Sequence, residues 1–316
     1  MTKNHKRCII FSNLYVEKSD IMKKTDVWLD TDIGGDIDDA LALALIIKSP
    51  EINLIGVTTA FNNAGLKARI ARRMLDIGKM PSVPVYAGQD QPILKNRPLE
   101  VPCQYDEASL GNIGIKKNGV EEMAHAILTR DEKTTLVTIG PLTNVALMLM
   151  IYPDTKEKID RIVMMGGNYY SNMIECNISE DALAADYVFR SGVNIEAVGT
   201  DVTDRVVLSW DDVEKIKSSR DPVCVFITEL MSRWGNYRPT LHDPLAVMYI
   251  LMPELCTMQK EEISVNTAEG ASYGFTYNIS MRRHIWGGEA EHPNVLAAKN
   301  VDAKRAVKFF MERLLG

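Results

Sequence analysis

Short apolar runs of β type alternate with longer stretches of helical period along most of the chain. The strand-like runs are 26–31, 53–59, 83–88, 134–139, 161–165 and 194–199. Between them, 38–48, 64–79, 120–129, the stretch after 140–144, and 179–189 read as helices. Strand and helix in strict alternation is the signature of βαβ units. The chain is therefore expected to be α/β, an open and mostly parallel sheet flanked by helices, Rossmann-like in outline. Local signals fit the boundaries: Ser49-Pro50 ends the first helix, and Ser179 is placed to cap the fifth, with Glu180 and Asp181 in its first turn. Residues 90–119 form a long irregular stretch rich in Pro, Gly and Asn, a length that usually marks a functional or mobile loop.

Beyond Asp201 the pattern turns helical at 210–217, 222–237 and 244–251. Apolar and polar residues then alternate through 258–280, which predicts antiparallel additions near the C-terminus. A last strand at 294–300 precedes an amphipathic helix at 302–315. There is no internal repeat, low-complexity tract or linker-like composition, so 25–316 reads as one domain. Residues 1–24 read as an N-terminal extension that the domain does not need, with Met22 a candidate functional start. Their basic opening (Lys3, His5, Lys6, Arg7) and the apolar 8–11 lead to Ser12-Asn13 and to no small-residue cleavage site, unlike a signal peptide.

Composition narrows the classes. The 316 residues are 46% hydrophobic and 25% charged, with net charge −6, and the lysines and arginines are dispersed. That excludes the clustered basic face of a nucleic-acid binder. No apolar run approaches the roughly 18–20 residues of a membrane span. The five cysteines, Cys8, Cys103, Cys176, Cys224 and Cys256, are scattered and form no CxxC pair. They imply reduced thiols in a cytoplasmic protein rather than a disulfide frame or a zinc knuckle, with Cys176 a buried apolar filler.

The candidate chemistry starts where the first strand ends. Asp30, Asp32, Asp36, Asp38 and Asp39 fall within one turn, around Gly34-Gly35, before the apolar helix-forming run 40–47. Such crowded carboxylates must be solvated, protonated or given a cation, and oxygen-only donors suit Ca²⁺ or Mg²⁺ better than zinc. An EF-hand loop started at Asp30 fails, because its fifth position is Gly34 and its twelfth Leu41. A phosphatase-type nucleophile at Asp30 or Asp32 lacks an evident lysine and second acid for the phosphate. Other polar groups fall at predicted strand ends: Asn62-Asn63, the Gly140 turn, Glu175 with Asn177, and His242-Asp243. Taken singly, Asp38-Asp39 could be helix N-terminal charges, Asn62-Asn63 a turn, and Asp243-Pro244 a cap with Pro in the first helical position. Strand-end loops of a parallel sheet converge on one rim, so jointly they point to one site.

Together these residues resemble the inosine–uridine nucleoside hydrolase family. The resemblance rests on Asp30-Thr31-Asp32-x-Gly34 with Asp38-Asp39-Ala40, Thr58-Thr59-x-x-x-Asn63, Gly140-Pro141-Leu142-Thr143-Asn144, Met165-Gly166-Gly167, Glu175-x-Asn177 and His242-Asp243-Pro244, in family order over nearly the whole chain. It implies hydrolysis of the N-glycosidic bond of ribonucleosides to free base and ribose, with one bound Ca²⁺, in a homodimer or homotetramer. Carried across, Asp32, Asp39, Asp243 and the backbone carbonyl of Ile139 would bind the ion, and Asp32 would be the general base for a Ca²⁺-bound water. Asp38, Asn63, Glu175 and Asn177 would hold the ribose hydroxyls, Met165 would line the sugar pocket, and His242 would assist the leaving base. The chemistry is coherent, since cleavage builds positive charge on the ribose that carboxylates stabilise.

The sequence also departs from the family pattern. Ile33 replaces the usual Pro, and Gly35-Asp36-Ile37 lengthens the acidic motif, which leaves Asp36 outside the ion's ligands. The stretch 106–115 lacks the His-Gly that many relatives have near the base, and Asn168 and Asn172 both qualify as the sugar-contacting asparagine ahead of Glu175. Trp234 and Tyr237 could cover the base or merely pack their helix. Two rival readings remain: a hydrolase of another N-ribosyl compound on the same scaffold, and a non-catalytic nucleoside- or Ca²⁺-binding protein.

Overall fold

The computed structural model describes residues 24–94, 97–111 and 113–316. Residues 1–23, and with them all but Lys24 of the N-terminal extension, lie outside the described residues. The strands are β1 (Thr25–Thr31), β2 (Ile52–Thr59), β3 (Val85–Ala87), β4 (Thr134–Thr138), β5 (Ile159–Met165), β6 (Ile195–Val198), β7 (Cys256–Glu261), β8 (Ile263–Val265), β9 (Thr276–Asn278) and β10 (Val295–Val301). Eight of them form one sheet in the order β3-β2-β1-β4-β5-β6-β10-β7. Every pairing in it is parallel except β10 with β7. The predicted antiparallel tail is thus divided between that edge pair and a separate β8–β9 hairpin.

Because helices cover both faces, the central strands are apolar on both sides. Val27 and Leu29 of β1 join one core, with helices Asp38–Ile47, Ala64–Ile77, Pro222–Trp234, His242–Leu251 and Ala303–Leu315. Trp28, between them, joins the other, with helices Gly119–Leu128, Thr143–Ile151 and Ala182–Arg190. Helix Asp38–Ile47 is buried all round except at its last residue, which explains its nearly unbroken Ala-Leu sequence.

Some local expectations are corrected. Ser179 caps no helix: Glu175 caps a short one, Cys176–Glu180, and Asp181 caps Ala182–Arg190 by accepting from the Ala184 amide. Of the two acids read as first-turn charges, Asp181 is itself a cap and Glu180 ends the short helix. The helix read as 222–237 ends at Trp234, where Gly235 adopts φ 128°. Cys176 is exposed rather than buried. Among its described residues, the irregular 90–119 contains a short helix, Glu107–Leu110.

Candidate active site

The chain leaves β1 for β2 and β3 on one side, then returns to place β4 on the other. The carboxyl ends of β1 and β4 thus flank a topological switch point, where open α/β sheets form their ligand crevice. Asp30 and Asp32 stand at the end of β1, and Ile139-Gly140 at the end of β4, joined by the Ile139 amide donating to the Asp30 carbonyl at 2.9 Å.

Two helix N-termini meet at this crevice. Asp38 and Asp39 open helix Asp38–Ile47, Asp243 lies in the first turn of His242–Leu251, and the two helices pack on each other. The three carboxylates are buried and offer oxygens within 4.8 Å of one another. Burial first, and repulsion from Asp36 and Asp32 second, pushes Asp38 up to about 8. Burial and the same kind of repulsion hold Asp39 and Asp243 well above the carboxylate range. Asp39 accepts a hydrogen bond from Thr31 Oγ1 at 2.5 Å, and Asp38 and Asp243 share one. Buried charges of one sign are costly until a counter-charge joins them, and oxygen-only donors match a hard divalent cation. The residues fit such an ion.

Asp32 stands beside this trio. Its Oδ2 lies 3.2 Å from Lys67 Nζ, and its Oδ1 packs against Gly140. The geometry therefore groups Asp38 with Asp39 and Asp243, whereas the family resemblance assigns Asp38 to the sugar and Asp32 to the ion. Asp36 is exposed, with Oδ1 accepting from the Ile37 amide at 2.6 Å. The lengthened turn is clamped from outside: Gln104 Nε2 donates to the carbonyls of Gly35 and Asp36 at 3.0 and 2.6 Å.

On the β4–β5 side, Asn177 Nδ2 reaches the carbonyls of Met165 (3.2 Å) and Ile139 (3.4 Å). Met165 is buried, so these three form one wall. Glu175 is buried and accepts from the amides of Gly167, Asn177 and Ile178 at 2.9, 2.8 and 3.0 Å. Burial raises its pKa against the pull of those three donors. Asn168 is buried and spent on Thr200 and Ser171; Asn172 is exposed. Asn63 lies apart from this wall, in a run of three left-handed residues with φ of 60°, 47° and 72° at Phe61, Asn62 and Asn63. Its Nδ2 lies 3.4 Å from the Glu100 carbonyl. Non-glycine residues in that region are strained and are found where surrounding structure holds them.

His242 Nδ1 is 2.7 Å from Thr203 Oγ1 and 3.9 Å from Asp204 Oδ1. Burial lowers its pKa, partly offset by Asp204 and Asp36. Trp234 and Tyr237 meet edge to face, centroids 5.4 Å apart, with Tyr237 exposed.

Several interactions at this site were not legible in the sequence. Asp30 accepts from Asn144 Nδ2 at 2.8 Å and from Thr58 Oγ1; the Gly-Pro-Leu-Thr-Asn turn was the available signal for Asn144. Thr203 and Lys67 carried none, since each is one of many such residues on an ordinary helix. Glu180 read as a first-turn acid, yet it is held up to about 8 by burial and by Asp32.

The family described as inosine-uridine preferring nucleoside hydrolase matches residues 27–308. "Probable uridine nucleosidase 2" of Arabidopsis thaliana is 32% identical over 91% of this chain and 96% of its own length. "Pyrimidine-specific ribonucleoside hydrolase RihA" of Escherichia coli O81 (strain ED1a) is 29% identical over 91% and 97%. Among solved structures, a purine-preferring ribonucleoside hydrolase from Gardnerella vaginalis superposes with TM-score 0.78 at 26% identity, covering 92% of this chain and 98% of that one. The plant nucleoside hydrolase PpNRh1 shares the fold, with TM-score 0.81 at 24% identity over 92% and 99%. The chain belongs to the inosine-uridine preferring nucleoside hydrolase family, and is a hydrolase of nucleoside N-glycosyl bonds.

Proposed function

We propose that this hydrolase cleaves ribonucleosides to free base and ribose in the crevice between β1 and β4, with a Ca²⁺ held by Asp32, Asp39, Asp243 and the carbonyl oxygen of Ile139. The observation that carries this reading is the convergence of buried carboxylates at the sheet's switch point, with Asp32 at their edge. Once bound, the ion supplies Lewis-acid activation of water and a template for the sugar hydroxyls. Asp32, the least buried acid of this ligand set, takes the proton of the attacking water. Asp38, Asn63, Glu175 and Asn177 hold the ribose hydroxyls, and Met165 closes the pocket floor. The acids around the sugar stabilise its growing positive charge. His242, with Nδ1 engaged by Thr203, turns Nε2 to the leaving base as the proton donor.

No helix of the described residues is long and apolar enough to cross a membrane. We place the enzyme in the cytoplasm, in keeping with free thiols at Cys103, Cys176, Cys224 and Cys256. We read it as a homodimer or homotetramer, an assembly for which exposed Ile285 and Trp286 are suitable contact residues. The test is free-base release from a panel of purine and pyrimidine ribonucleosides, with and without a chelator. Release abolished by the chelator and restored by Ca²⁺ supports the reading. Cleavage confined to some other N-ribosyl compound, or indifference to the chelator, overturns it.

A further inference from the structure

Lys67 is the one buried lysine or arginine among the described residues. It belongs to the first turn of helix Ala64–Ile77, where the helix dipole disfavours a cation, and that turn has no acid to offset it. Its partner comes from elsewhere in the fold. Nζ lies 3.2 Å from Asp32 Oδ2, with the side chains only 6% and 21% exposed. The Phe61 ring, in the strained left-handed run, lies 5.8 Å from the same nitrogen. A lysine so placed gains nothing from its own helix and gives its charge to the acidic crevice.

We propose that Lys67 is the resident counter-ion of the crevice, and that Asp32 is shared between its ammonium and the divalent cation. This rests on the reading of Asp32 as an ion ligand. In the ion-free protein Lys67 neutralises Asp32 and also acts favourably on Asp39 and Glu180 nearby. With Oδ2 held 3.2 Å from Lys67 Nζ, Asp32 would serve both cations once the ion binds, and the ammonium repels the incoming charge. Lys67 is thus a positioning residue with opposed effects: it supports the ion-free fold and weakens ion affinity. Within a partly buried site neither effect is screened away as it would be at the surface.

The experiment is calorimetric Ca²⁺ titration of the chelator-treated full chain, with melts of ion-free and ion-saturated protein, for wild type, Lys67→Met and Lys67→Arg. Lys67→Met should bind Ca²⁺ at least about tenfold tighter, since even at a water-like dielectric a unit charge roughly 6 Å from a divalent ion repels it by that factor. Its ion-free form should melt lower than wild type, and saturation should raise its melting point more. Lys67→Arg should stay near the wild-type affinity. Tighter binding is the decisive readout, because a merely structural lesion would weaken the site. If Lys67→Met does not fold ion-free, it is prepared with Ca²⁺ and its affinity read by competition with a chelator. Wild type that binds while Lys67→Met binds no tighter overturns the role of Lys67 alone. Wild type that binds no Ca²⁺ overturns the ion reading of the crevice, and this proposal with it.

Discussion

Gly140 leaves no room for a side chain beside Asp32: a Cβ there would sit 2.9 Å from both the Asp32 amide nitrogen and its Oδ1. Gly140 follows β4 and Asp32 follows β1, so the contact sets the width of the crevice at the strand ends. Because one of the close atoms is backbone, a methyl group cannot be accommodated by a side-chain rotation. Gly140→Ala should displace Asp32, destabilise the protein by about 1–3 kcal/mol, and lower kcat/KM by more than the lost folded fraction accounts for. Steady-state kinetics beside a urea melt checks this. Kinetics like wild type would mean that the position of Asp32 is unimportant for turnover.

Asp32→Asn removes the proposed base and keeps the shape. Loss of a positioned general base costs about 10²–10⁴ in rate, and loss of an ion ligand adds to that. Turnover should fall at least that far while the circular dichroism spectrum and melting cooperativity persist. Near-wild-type turnover would refute the assigned role.

Much of this site was legible because it follows from the period of the chain. Alternating strand and helix dictated a parallel sheet, and a parallel sheet brings strand-end residues such as Asp32, Ile139 and Met165 to one rim whatever their distance in sequence. Asp243, remote in the chain, stood among the candidate polar groups, but its role as an ion ligand came only from the family resemblance, since its local sequence reads equally as a helix start. What stayed hidden depends on tertiary pairing. Lys67 is unremarkable on its helix until β1 delivers Asp32 to it, and the tether of Gln104 to Gly35 and Asp36 joins segments with no shared period. Ser179 was misread because three cap-forming residues fall close together, and local propensity does not rank them. The packing of Ala182–Arg190 does, by selecting Asp181, whose carboxylate also binds Thr143 Oγ1 and the Ile93 amide.

Asp30 should make the ion-free protein more stable in mild acid than at neutrality. Its Oδ2 is buried without a hydrogen-bond partner, and burial raises its pKa from 3.8 to about 7 despite the donors Thr58 and Asn144. The native state therefore keeps a proton that the unfolded chain releases near 3.8. The stabilisation is fully present below that value and is lost as pH rises toward about 7. Asp38, also raised, adds a loss of the same sign. Asp30→Asn mimics the neutral form and keeps an oxygen for Thr58 and Asn144, so its unfolding free energy should fall less between pH 4.5 and 7.5, by up to roughly 1.4 kcal/mol for each unit of the raised pKa. Urea unfolding in chelator at several pH values measures this. An identical pH slope in the two proteins would exclude a proton on Asp30.

His242 offers the last test, because its value to the reaction depends on the leaving group. A purine or pyrimidine that departs as a poor anion needs a proton, whereas a ribosyl compound with a nitrophenolate leaving group needs none. His242→Ala should therefore slow base release by about 10²-fold or more for nucleosides that rely on the acid, while changing nitrophenolate release little. The Thr203 hydroxyl at 2.7 Å fixes the imidazole through Nδ1, so Thr203→Val should repeat this pattern in weaker form, with the fall in kcat and little change in KM. Equal losses on every substrate would instead mean that His242 supports the fold of the crevice or binds the sugar, and would remove it from the proton path.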